Sequence, residues 1–77
     1  MAVSDKVKCL LAVSGKRQID LAAYFGMSKQ TMSNKMSRDS WSAKDLARVA
    51  EFCGCRVGFL LPDGQHIFVE AEGKADA

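Results

Sequence analysis

Hydrophobic spacing divides the chain into five segments. In SDKVKCLLAVSG, Val7, Leu10, Leu11 and Ser14 follow the i, i+3, i+4, i+7 rhythm of an amphipathic helix. Ser4 is the expected N-cap, Asp5 suits the first turn, and Gly15 can end the helix in a left-handed conformation, so a first helix is expected from about 5 to 14. In RQIDLAAYFG, Ile19, Ala22 and Ala23 share one face with Leu21 and Phe25 beside it, and Gly26 terminates a second helix over about 18–25. A helix this short does not hold in water without tertiary contacts. Ser28 is placed to cap a third helix over about 28–36, with Met32 and Met36 as its inward stripe. The fourth carries the clearest local signal. Ser42 and Asp45 form a capping box, Trp41 and Leu46 form a staple around it, and Leu46, Val49, Ala50 and Cys53 continue one face to Gly54, giving a helix over about 43–53.

After Gly54 the period shortens to two. CRVGFLL and QHIFVE read as short strands separated by Pro62-Asp63-Gly64, with Val57, Phe59 and Leu61 on one face and Ile67 and Val69 able to meet them, so a β-hairpin is expected over about 55–70. Residues 71–77 read as a polar tail. The fold class is mainly α, four helices with a C-terminal hairpin, in one domain spanning 1–77. A two-stranded hairpin is marginal alone, so it must pack on the helices, pair with another copy, or both. Capping the core is one role open to it; the apolar edge left by Ile67, Phe68 and Val69 invites pairing, which makes Val57, Phe59, Ile67, Phe68 and Val69 the expected surface of a homodimer.

Composition changes this picture in two ways. Three cysteines (Cys9, Cys53, Cys55) lack disulfide-framework spacing, no stretch is apolar enough to span a membrane, and MAVSDKVK has no signal-peptide pattern; a reducing cytoplasm is expected. The net charge of +2 conceals an asymmetry, because residues 16–44 hold six basic side chains against two acidic ones. That balance fits an anionic partner for the middle of the chain, as it also fits a solvated basic face.

Candidate chemistry is sparse elsewhere. Cys53-x-Cys55 lacks the spacing of structural zinc sites, so no metal is expected and buried thiols are the simpler reading. Nothing resembles a catalytic triad or dyad, no cofactor or small-molecule ligand is evident, and an enzyme is not expected.

Two short helices joined by a tight turn that begins with glycine, followed by a polar helix, describe a helix-turn-helix. The run Gln18, Leu21-Ala22, Gly26-Met27-Ser28, Met32-Ser33 resembles the Cro and phage-repressor type of helix-turn-helix, the XRE or lambda-repressor-like family, over residues 5 to about 54. SKQTMSNKM followed by RDSWS is similar to small bacterial regulators of mobile elements. Arg17 stands where that family commonly has a capping Ser or Thr, and Lys35 where it has an apolar residue, with Met36 available to take over its packing.

The resemblance implies sequence-specific binding of double-stranded DNA by a transcriptional regulator, with the third helix in the major groove. By position, Lys29, Gln30, Ser33 and Asn34 would read bases: Lys donates to guanine, Gln and Asn bond bidentately to adenine, and Ser serves either. Gln18, Ser28, Thr31, Lys35, Arg38 and Lys44 would contact phosphates. The same fold is also compatible with a protein-interaction or antitoxin-like module, against which the acid-free third helix argues.

Overall fold

The computed structural model describes residues 2–70, in the order α1 (Val3–Ser14), α2 (Gln18–Phe25), α3 (Lys29–Arg38), α4 (Ala43–Cys53), β1 (Val57–Leu60) and β2 (His66–Val69). Four helices and a two-stranded antiparallel hairpin are the elements that the periodicity implies. The chain forms two compact units, Met1–Trp41 and Ser42–Ala77.

In the first unit, Ser4, Val7 and Leu11 of α1, Leu21 and Ala22 of α2, and Met32 and Met36 of α3 are buried. Leu21 and Met32 are fully enclosed, and they are the largest of the fully buried side chains in this unit. The inward side of α2 departs from the expected one. Leu21 and Ala22 are buried with Phe25 half-buried, whereas Ile19 is 49% exposed and Ala23 also faces solvent. Eight residues make little more than two turns, too few for periodicity to fix which side of a helix turns inward.

The start of α1 is also corrected. The helix begins at Val3, two residues before the expected start, and Ser4 lies inside it instead of capping it. The N-cap position is Ala2, which has no side-chain oxygen to offer. The missing acceptor comes from Asp39, 36 residues from Val3 along the chain. At the other end α3 runs to Arg38, two residues beyond Met36.

In the second unit, Ser42 Oγ accepts from the Asp45 amide at 3.0 Å while the Asp45 carboxylate accepts from the Ser42 amide at 3.1 Å, which completes the expected capping box. Ala47, Val49 and Ala50 are buried, while Leu46 and Cys53 are half-buried. The hairpin packs on α4 in the register Val57↔Val69, Gly58↔Phe68, Phe59↔Ile67 and Leu60↔His66. Its turn closes where the Gly64 amide donates to the Leu61 carbonyl at 2.9 Å, with Gly64 at φ 93 and the Gln65 amide held by Asp63 Oδ1 at 3.0 Å.

Candidate nucleic-acid interface

The link between α2 and α3 takes three residues. Gly26 adopts φ 72, a conformation glycine reaches without a Cβ penalty, and directs its amide to the Ala23 carbonyl at 3.0 Å. The next amide, of Met27, bonds the Ala22 carbonyl at 2.8 Å, so the last carbonyls of α2 are satisfied as the chain turns away. Ser28 then starts α3. Its Oγ accepts from the Thr31 amide at 3.1 Å and lies 2.9 Å from Thr31 Oγ1, the cap expected of it.

α3 has two faces of different chemistry. Met32 is fully buried and Met36 is 7% exposed, while Lys29, Gln30, Thr31, Ser33, Asn34 and Arg38 are exposed. All four expected base readers thus share the solvent side of one helix that contains no acidic residue. Gln30 Nε2 donates to Asn34 Oδ1 at 3.1 Å across one turn, which restricts the rotamers of both amides. Each amide retains a further donor or acceptor for an outside partner.

The expected phosphate contacts fall into three groups. Ser28 and Thr31 hold their hydroxyls at the positive end of the α3 dipole. Gln18, half-buried, lines with Lys29 and Met32 a crevice of about 50 Å³ along the α2–α3 seam. Arg38 is exposed at the end of α3, and Lys44 is exposed in the first turn of α4.

Lys35 differs from these. It is half-buried, its Nζ donates to the Ser40 carbonyl at 2.7 Å, and the ammonium stands 5.0 Å from the centre of the Trp41 ring. A lysine is tolerated at this apolar position because its stem packs while its charge finds a carbonyl and an indole face. Met36 takes the core place beside it. Arg17, which stands in the position of a capping residue, makes no cap bond and instead pairs with Asp20 at 3.1 Å. The pairing raises the guanidinium pKa and lowers that of the carboxylate through their hydrogen bond.

The residues that anchor α3 at its far end do not stand out in the sequence. Asp39 Oδ1 accepts from the Ser4 amide at 2.6 Å and Oδ2 from the Val3 amide at 3.2 Å. Ser4 Oγ donates to the Met36 carbonyl at 2.7 Å and accepts from Trp41 Nε1 at 2.9 Å. Ser4 is the one buried polar residue among those described, and its amide and hydroxyl are both bonded. The amide bonds hold the Asp39 carboxyl below the usual carboxylate range, the Ser4 amide contributing most.

Against known proteins, residues 8–63 match the family model of the bacteriophage CI repressor helix-turn-helix domain. The chain belongs to this family. It is also 35% identical over 60 residues to the repressor protein CI of Enterobacteria phage phi80, an alignment that covers 78% of this chain and 25% of the phage protein. The chain therefore spans about a quarter of the length of that relative. No solved structure matches it significantly.

Membership in the CI repressor family identifies α2 and α3 as the two helices of the helix-turn-helix in a DNA-binding repressor domain. No helix among the described residues is long and apolar enough to cross a membrane.

The expected dimer residues behave differently from the core. Val57 and Val69 are half-buried, near an apolar crevice of about 180 Å³ beside α4, whereas Phe59 is 65%, Ile67 57% and Phe68 39% exposed. On the opposite face Phe68 lies across from Gly58, with the Arg56 guanidinium 4.7 Å above its ring and His66 stacked on it at 5.5 Å. A Cβ on Gly58 would meet the Ile67 carbonyl oxygen at 2.3 Å, so the hairpin requires glycine there. The expectation of buried thiols is corrected: Cys9 and Cys55 are exposed and Cys53 is half-buried, all three free. Slight desolvation of the exposed Cys55 thiol, more than the neighbouring Cys53, raises its pKa. Among the described residues no three His, Cys, Asp or Glu side chains gather as a metal site would require.

Proposed function

We propose that the chain binds double-stranded DNA in a sequence-specific manner through the exposed face of α3 and regulates transcription by occupying a promoter. The observation that carries this reading is the segregation of α3. Its buried side is two methionines, and its open side presents Lys29, Gln30, Ser33 and Asn34 with no acidic group on the helix. These are donors and amides suited to base edges, and packing within the chain leaves their outward atoms unused. Ser28, Thr31, Gln18 and Arg38 supply phosphate contacts, and Lys35 serves α3 and Trp41 instead. The test is a gel shift at two salt concentrations. Binding that weakens with salt and is retained on one duplex over its scrambled counterpart supports the reading, and equal binding to both overturns it.

The same reading includes a homodimer formed through the hairpin. The Leu61 amide bonds the Gln65 carbonyl at 2.8 Å, so alternation along the ladder turns the backbone groups of His66 and Phe68 toward the free edge of β2. An unpaired edge flanked by exposed Ile67 and Phe68 favours pairing with a second copy, and two-fold symmetry suits two half-sites. A monomer mass by light scattering at high micromolar concentration, with and without DNA, overturns the dimer. The partner-binding reading rests on those same exposed side chains and fits if the hairpin recruits another protein while DNA goes unbound.

A further inference from the structure

Three of the four helices end on glycine in the left-handed region, at Gly15, Gly26 and Gly54, but α3 ends on Asp39 at φ 55. Asp39 is the one described non-glycine residue with positive φ. The left-handed conformation is unfavourable for a residue with a Cβ, and aspartate tolerates it better than most because its short side chain can bond locally. Here the side chain does not bond locally. Both its oxygens reach the first amides of α1, at 2.6 and 3.2 Å, and neither bonds α3. The residue thus departs from the pattern of the other three helix ends in order to hold a different helix.

We propose that Asp39 and Ser4 are positioning residues for DNA readout, clamping the C-terminal end of α3 to the N-terminus of α1 and so fixing the direction in which Lys29, Gln30, Ser33 and Asn34 present themselves. This inference rests on the DNA-binding reading of α3. The clamp has two arms that run in opposite directions. The Asp39 carboxylate, carried by the end of α3, accepts from Val3 and Ser4 and faces the positive end of the α1 dipole. Ser4 Oγ, carried by α1, returns a hydrogen bond to the Met36 carbonyl, one of the last carbonyls of α3. Trp41 Nε1 holds the same hydroxyl at 2.9 Å, and the Trp41 ring lies beside Lys35 on α3. Readout needs its side chains held to about 0.5 Å, and two oppositely directed anchors at one end of a ten-residue helix limit both its tilt and its rotation.

The substitution Asp39→Gly separates this role from ordinary helix termination. Glycine is the favoured residue in the left-handed position after a helix, so if Asp39 served only to end α3, Asp39→Gly would be neutral or stabilising. The clamp predicts the reverse for readout. With a duplex selected from a random pool by the wild-type chain and a scrambled duplex of equal length as probes, the ratio of the two affinities falls roughly tenfold or more in Asp39→Gly. Affinity for the scrambled duplex stays within twofold of the wild type. Asp39→Asn, which keeps an acceptor and tolerates positive φ, recovers most of the ratio, and hydrogen exchange at the Val3 and Ser4 amides quickens in the Asp39→Gly variant alone. Ser4→Ala, which cuts the second arm and leaves Asp39 in place, lowers the ratio as well, and it decides the matter if Asp39→Gly is unfolded at the assay temperature. A ratio unchanged in Asp39→Gly, or in Ser4→Ala where that variant decides, overturns the clamp while leaving DNA binding intact. A wild-type chain that prefers no duplex removes the DNA reading, and the clamp with it.

Discussion

Asn34→Ala separates a helix-building role from a base-reading role because the two predict effects of opposite sign. Asn34 sits on the exposed face of α3 and accepts one hydrogen bond, from Gln30 Nε2 at 3.1 Å. Losing an i, i+4 pair of this kind costs an isolated helix about 0.2–0.5 kcal/mol. Alanine returns a comparable amount, up to roughly 0.7 kcal/mol, because asparagine is a poor interior helix former. No buried group is uncovered, since Met32 and Met36 fill the inward side. The substitution should therefore leave stability unchanged or slightly raised. If Asn34 bonds a base bidentately, its removal costs about 1–3 kcal/mol of discrimination, roughly 5- to 150-fold in affinity for the preferred duplex. Thermal melting by circular dichroism measures the first quantity, and fluorescence anisotropy at fixed salt against the selected duplex and its single-pair variants measures the second. The reasoning is refuted if Asn34→Ala binds the selected duplex as the wild type does, or weakens every duplex equally.

Met32→Ala removes a fully buried side chain from the inward face of α3, and urea denaturation should show a loss of about 2–5 kcal/mol, enough to unfold much of so small a domain. Gly58→Ala places a Cβ against the Ile67 carbonyl oxygen and 2.9 Å from the Phe68 Cα, so hydrogen exchange should show the β1–β2 ladder opening and sedimentation should show the proposed dimer lost. Arg38→Gln should weaken binding to all duplexes alike and lower the salt slope by about one, read from anisotropy titrations over a range of salt. Asp39 and Asp20 both have carboxyl pKa values lowered from the ordinary 3.8, so their contribution to stability is present above about pH 4 and is lost as pH falls through the lower folded values. A melting-temperature profile should accordingly fall more gently on the acid side in Asp39→Asn than in the wild type.

Elements whose ends are set by neighbours in sequence were legible before the structure. α2 ends at Gly26, α4 runs from the Ser42–Asp45 box to Gly54, and two strands flank Pro62-Asp63-Gly64 as the alternation implied. The start of α1 was not legible, because its cap is a carboxylate 36 residues from Val3 and Ser4 looked like the local candidate. The inward side of α2 was misjudged for want of length, and the cysteines because a small apolar residue is more often buried than exposed. In the candidate site, the division of α3 between buried methionines and exposed polar side chains was visible in the sequence. The engagement of Lys35 by Ser40 and Trp41 was not, since it depends on how the chain folds back after Asp39.

Selection of duplexes from a random pool tests the central claim most directly. A defined preferred sequence with two-fold symmetry is expected, bound at least about a thousandfold more tightly than its scrambled counterpart at physiological salt. Recovery of no preferred sequence, with equal affinity for every duplex, would contradict that claim.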